Sequence, residues 1–189
     1  MWYPTPNGPT TAELGALLSP LGGRLVQAYR LGDGTTSHRI ELPTHEAKVR
    51  LLDKLGAYDA RLPEVRRIAE LAAAGSASPV EQIAKLHAFV RGRVLFTGEP
   101  SETFSPTLRV LELGAGDCDD HTRVMLALLR SMGHKAAPMT LGSPPRHVAA
   151  GVVLDGRQWW LETTIDAHPG EHPLAAAKRL GIQTRPDLG

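Results

Sequence analysis

The sequence predicts an α+β fold, with helices first and an antiparallel sheet after them. Two observations predict it. Apolar residues recur at helical spacing through most of the stretch from Thr44 to Gly133. Beyond Lys135 the period shortens to that of strands, and Asp155-Gly156 sits between two β-rich runs. That dipeptide is the strongest short-range hairpin signal in the chain. Helices followed by strands is the order of an α+β domain rather than of alternating α/β units.

Residues 1–20, rich in Pro, Gly and Thr, read as an extended arm. Segments 25–29 and 38–42 read as a strand pair around Gly32-Asp33-Gly34. Thr44 can cap a helix running to about Leu55, with Val49, Leu52 and Leu55 on one face. Pro63 suits the first position of a second helix, which carries Val65, Ile68, Ala69 and Ala72 and ends at Gly75. Ser78-Pro79-Val80-Glu81 is a capping box that opens a third, with Ile83, Leu86 and Val90 inward and a stop near Gly92. A fourth spans 118–133. Strands are expected at 135–141, 147–154 and 157–164, and a short helix near 174–180. The divisions expected are the arm 1–20, a hairpin and helix 21–60, a core 61–167 and a tail 168–189.

Composition narrows the function classes. The 189 residues are 42% hydrophobic and 22% charged, enough for one domain with a core. Net charge is +1, from 21 basic and 20 acidic residues, and no basic stripe marks a nucleic-acid binder. The single cysteine excludes a disulfide within the chain and a multi-cysteine zinc site. Residues 1–8 have neither a basic start nor an apolar run, so cytoplasmic synthesis is expected. No apolar stretch reaches membrane-spanning length.

The nucleophile candidate is Cys118, in Gly114-Ala115-Gly116-Asp117-Cys118-Asp119-Asp120-His121-Thr122. A cysteine in the first helical turn meets the positive end of the helix dipole and unpaired N–H groups. Both favour a thiolate, and the Cys118 N–H can serve an oxyanion. Cys118, His121, Met125, Leu128 and Met132 share one face. A lone cysteine is more often a small buried hydrophobe. Asp117 suits a cap, with Asp119 and Asp120 complementing the dipole. Their charges oppose a thiolate, so an imidazolium partner is needed to offset them.

Hairpin register supplies that partner. A two-residue turn at 155–156 sets Leu154 against Arg157, Ala149 against Glu162 and His147 against Thr164. His147 and Glu162 are then diagonal neighbours on one face, with Ala149, Gly151, Val153 and Trp160. The small Ala149 and Gly151 leave room for the helix bearing the cysteine. Nucleophile, base and orienting carboxylate follow the general triad logic. Asp166 shares the face by parity and is a rival orienter. Taken singly, His147 and Glu162 are more often structural or solvated residues.

These residues resemble a family. Gly116-Asp117-Cys118-Asp119-Asp120, with the apolar helix ending in Arg130-Ser131-Met132-Gly133, resembles the nucleophile segment of the transglutaminase-like superfamily. His147-Val148 and Trp160-Leu161-Glu162-Thr163-Thr164 resemble its histidine and acidic segments, where the family usually has aspartate in place of Glu162. Val65 to Ala69, the helix from Pro79 to Val90, and Phe104-Ser105-Pro106-Thr107-Leu108 before the glycines resemble a subgroup common in phage and prophage structural modules. The resemblance covers most of residues 38–167. It implies a papain-like core and attack of Cys118 on an amide carbonyl. The acyl-thioester would be resolved by water or an amine. No residue matches the family's second oxyanion donor.

Other motifs carry less. His168-Pro169-Gly170-Glu171-His172 has the spacing of an inverted zinc-protease motif, but Pro-Gly forbids the helix that motif needs. Cys118, His121, His147 and an aspartate are chemically fit to hold zinc; the expectation is nonetheless no metal and no cofactor. Gly114-x-Gly116 is no phosphate loop. Two functions follow. One is a cysteine hydrolase or acyltransferase acting on a peptide or protein amide. The other is a non-catalytic neck, tail or capsid component in a virion, with other phage structural proteins as partners.

Overall fold

Thr10 and Glu13 form a capping box: Thr10 Oγ1 accepts from the Glu13 N–H at 3.3 Å, and the Glu13 carboxylate accepts from the Thr10 N–H at 2.8 Å. It opens helix α1, Thr11–Leu18. The arm expected to be extended is thus helical over those residues, because a Thr-x-x-Glu cap overrides the Pro- and Gly-rich surroundings. Leu14 and Leu18 pack on Leu51 and Leu55. The computed structural model describes residues 8–30, 36–98 and 104–184. The start of the arm, the Gly32-Asp33-Gly34 loop and the last five residues lie outside the described residues.

Strands β1 (Arg24–Arg30) and β2 (Thr36–Glu41) pair antiparallel, with an irregularity between Leu25 and Gln27. Helix α2 (His45–Asp59) is capped by Thr44, whose hydroxyl accepts from the Ala47 N–H at 3.1 Å. It runs one turn past the expected end. Helices α3 (Pro63–Ala72) and α4 (Pro79–Arg93) each begin on their proline. Ile83, Leu86 and Val90 of α4 are buried, as their spacing requires. Strand β3 (Leu95–Phe96) pairs in parallel with β4 (Ala115–Gly116), on either side of helix α5 (Thr107–Leu113). None of these three short elements has a periodic sequence signal.

Helix α6 (Cys118–Ser131) runs through the middle. Val124 through Leu129 are all fully buried. The helix packs on α2, α3, α4 and α5 on one side and on strand β6 on the other. A helix that is apolar most of the way round belongs inside a domain, and only its first turn and Arg130 near its end reach a surface.

Strands β5 (Ala136–Leu141), β6 (His147–Leu154) and β7 (Arg157–Leu161) form an antiparallel sheet in that order. Asp155 and Gly156 both have positive φ, 49° and 73°, as a tight hairpin turn of matching twist requires. Leu154 faces Arg157, and the ladder runs to Ala150 opposite Leu161. Strand β7 therefore ends three residues short of the expected limit.

The face given to α6 also differs. Ala150, Val152 and Leu161 join the core with α6, whereas Ala149 and Gly151 look the other way. The larger apolar residues are on the α6 side, so burial there removes more surface from water. The space at Gly151 is used by the neighbouring strand. A Cβ there would lie 2.7 Å from Met139 Cγ and closer still to its sulfur. Helix α7 (Pro173–Arg179) closes the described chain.

A buried ion pair ties α2 to α6. Arg123 Nε donates to Asp59 Oδ2 at 2.8 Å and its Nη2 to Oδ1 at 3.0 Å, with the two side chains 1% and 0% exposed. Asp59 Oδ2 also accepts from the Thr107 N–H at 2.9 Å, and Arg123 Nη1 donates to the Phe104 carbonyl at 2.9 Å. Removing one partner leaves a buried charge unpaired. Asp59→Ala is expected to lower the unfolding free energy by about 3–5 kcal/mol in urea titration. A loss under about 1 kcal/mol would show that the pair holds nothing together.

Candidate active site

Asp117 begins the site as a helix cap. Its Oδ1 accepts from the N–H groups of Asp119 at 2.9 Å and Asp120 at 3.2 Å. The cap leaves the N–H of Cys118 out of its grip. Asp120 turns inward, accepts from the Ser105 N–H at 3.1 Å, and lies so close to Gly116 that a Cβ there would come within 2.6 Å. Asp119 stays near the thiol, which points its proton at Oδ1 across 3.8 Å.

His147 opens β6, and Glu162 lies one residue past the end of β7. Their side chains meet: His147 Nε2 is 2.5 Å from Glu162 Oε2. The other oxygen, Oε1, accepts from both the N–H and the hydroxyl of Thr164, each at 2.7 Å. Glu162 is 1% exposed. Burial works against its charge, but His147 and Thr164 outweigh burial and hold the carboxyl below its ordinary range. It is therefore ionised at neutral pH.

Cys118 and His147 line one cleft of about 520 Å³. Its other walls are Asp117, Asp119, Pro145, Arg146 and Val148, and the first turns of α2 through His45, Lys48, Val49 and Leu52. The Val148 backbone lies beside the Cys118 sulfur, and Thr122 Oγ1 donates to the Val148 carbonyl at 3.1 Å. These contacts hold the head of α6 against the start of β6.

The resting thiolate expected from the helix dipole is not favoured. Burial first, then the charges of Asp119 and Asp117, push the Cys118 thiol up to about 12. The Val148 backbone beside the sulfur pulls the other way. The sulfur therefore rests as a thiol.

The remaining expected residues divide. Asp166 pairs with Arg91, away from His147, and is 65% exposed. Trp160 sets its ring edge-on to His172 at 5.1 Å. His121 is buried, with Nδ1 3.1 Å from Thr163 Oγ1. Residues 168–172 form a turn rather than a helix, and Glu171 takes Arg179 as partner. Among the described residues, no group of three or more His, Cys, Asp or Glu is placed to hold a metal ion. Also among them, no helix is long and apolar enough to cross a membrane.

Two features escaped sequence reasoning. One is the α2 wall, since nothing in a helix pattern tells which cleft its exposed end faces. The other is His87, buried on α4 with Nε2 2.6 Å from the Glu162 carbonyl. Its signal was there: position 87 shares the inward face of Ile83 and Val90.

The sequence matches the transglutaminase-like superfamily over residues 66–164, more than half of the chain. The chain belongs to the transglutaminase-like superfamily. Cys118, His147 and Glu162 all fall inside the matched region. Helix α1, the β1–β2 hairpin and α2 fall outside it. Two solved structures share the fold. One is a candidate protease from Parabacteroides distasonis ATCC 8503, 13% identical with a TM-score of 0.55, matched over 71% of this chain and 30% of that one. The other is a candidate cysteine protease from Cytophaga hutchinsonii, 10% identical with a TM-score of 0.51, matched over 75% of this chain and 64% of that one. This chain spans less than two thirds of either neighbour. Among curated proteins none matches significantly.

Acid acts on this transglutaminase-like core through its buried imidazoles. Burial pulls His121 down to about 4 from an ordinary 6.5, and burial lowers His87 as well. Below pH 6.5 the unfolded chain takes up protons that the folded chain refuses, so stability falls with pH. Glu162, with its folded value depressed, adds stability above 4.5 that is lost as pH falls through that folded value. The melting temperature is expected to drop steadily from pH 6.5 to 4. A flat profile across that window would contradict the burial of neutral histidines.

Proposed function

We propose that this protein is a cysteine hydrolase or acyltransferase that opens an amide bond through Cys118, His147 and Glu162. The observation that carries the reading is the 2.5 Å contact of His147 Nε2 with Glu162, in a cleft shared with Cys118.

An ionised carboxylate accepts, so Nε2 carries the proton and Nδ1 keeps its lone pair. Nδ1 takes the thiol proton as Sγ attacks the amide carbon. The negative charge that moves to the carbonyl oxygen is met by the Cys118 N–H, aided by the positive end of α6. The resulting imidazolium lies against Glu162, which stabilises it. Collapse of the tetrahedral intermediate breaks the C–N bond, and the imidazolium protonates the departing amine. Water or a second amine then attacks the thioester, giving up a proton to His147; the C–S bond breaks, the product leaves, and the imidazolium returns that proton to the Cys118 sulfur. A thiol that rests protonated makes this base-assisted attack rather than a standing ion pair. The mixed lining of the cleft, Val49 and Leu52 beside charged groups, suits a peptide or protein amide. The superfamily match supports the enzyme reading. The matches lend nothing to the particle-component alternative.

Acylation of Cys118 by p-nitrophenyl acetate, followed by mass, tests this. The wild type is expected to release a burst of nitrophenolate and gain one acetyl group. Cys118→Ser should abolish both. His147→Ala should slow acylation by about 10²–10⁴ and Glu162→Gln by about 10–10². Acylation at the wild-type rate in His147→Ala would overturn the assignment of the base.

A further inference from the structure

The carboxylate that meets His147 stands on a peptide that the sheet no longer holds. The β6–β7 ladder ends at Ala150 opposite Leu161. Glu162 follows at once, and its carbonyl lies beyond the last strand pair. A buried carbonyl without a donor is costly, and a peptide without a partner is free to rotate. The donor comes from another element. His87, in the middle of α4, sets Nε2 2.6 Å from the Glu162 oxygen, across 75 residues of chain.

The setting of His87 makes this contact specific. The side chain is 2% exposed on a helix face otherwise given to Ile83, Leu86 and Val90. An apolar residue there would satisfy the core without the cost of burying an imidazole. A carbonyl can only accept, so Nε2 must carry the proton. The next residue is tethered as well, through Thr163 Oγ1 and His121 Nδ1 at 3.1 Å. Arg91 and His168 are the other charged or titratable groups that act on His87 besides Glu162 itself.

The direction of the Glu162 side chain follows from the orientation of its own peptide. Oε1 is already fixed by Thr164, two residues on. Oε2 then points at His147 only while residues 162–164 keep this turn. We infer that His87 is a positioning residue: by donating Nε2–H to the Glu162 carbonyl, it holds the turn that aims the Glu162 carboxylate at His147. The inference rests on the reading of Glu162 as the orienter of His147.

The test compares His87→Gln, whose amide N–H can reach the same carbonyl, with His87→Met, which fills the space and donates nothing. Alkylation of Cys118 by chloroacetamide near neutral pH is the readout, with Glu162→Gln as reference. Alkylation is expected to slow about tenfold in His87→Met, the kinetic equivalent of one lost hydrogen bond. His87→Gln should restore it to within about twofold. If Glu162→Gln slows alkylation and His87→Met does not, the role of His87 is refuted while that of Glu162 stands. If Glu162→Gln itself alkylates like the wild type, both fall. Equal slowing in the Gln and Met variants would mean that His87 acts by packing alone, against the inference. Should His87→Met fail to fold, nitrogen shifts of labelled histidine in the wild type decide. A proton on His87 Nε2 supports the inference, and one on Nδ1 overturns it.

Discussion

The contact of His147 with Glu162 is the constraint on which the site depends, and it exists because a strand pair ends where it does. The Asp155-Gly156 turn fixes the register, and register brings residue 147 of one strand near residue 162 of the next. A slip of one residue would turn one of the two to the opposite face. Yet Glu162 is not itself in the ladder. Leaving the strand at Leu161 frees its backbone to turn, so that Thr164, His87 and His147 all reach it. A carboxylate so buried stays charged only because its oxygens are met on both sides.

Helix α6 brings the thiol to this pair. Its body is fixed by apolar contact with α3, α4, α5 and the sheet, and by the Asp59–Arg123 bridge to α2. That bridge also receives the Thr107 N–H and the Phe104 carbonyl, so it fixes the chain that leads through α5 to Gly116. The head of the helix is thereby presented at a cleft while residues 120–129 are buried. Burial there has a chemical consequence. It raises the thiol, and the adjacent aspartates raise it further. The helix dipole alone does not make Cys118 a thiolate, and the proposed chemistry therefore calls on the imidazole as a base.

Much of this was legible in the sequence. Prolines and capping residues placed α2, α3 and α4, and the turn dipeptide placed the register of β6 and β7. Three residue types at three points of the chain pointed to the candidate site, where Glu162 meets His147 and His147 shares a cleft with Cys118. The misses have physical causes. The α1 cap was hidden among prolines and glycines. The face of the sheet that takes α6 is decided by total apolar area and by Met139 of a third strand, which alternation along two strands does not encode. Asp166 shares parity with Glu162, but the strand stops before it and Arg91 draws it away. His87 and the α2 wall act across long separations, where a helical pattern gives the inward face and not the partner.

The most direct test of the account is the imidazole proton between His147 and Glu162. An imidazole N–H donated to a buried carboxylate resonates far downfield and is shielded from exchange with water. Proton NMR of the wild type is expected to show one such signal, absent in His147→Ala and moved strongly upfield in Glu162→Gln. A spectrum without it, or a signal indifferent to Glu162, would contradict the pairing on which the proposed chemistry stands.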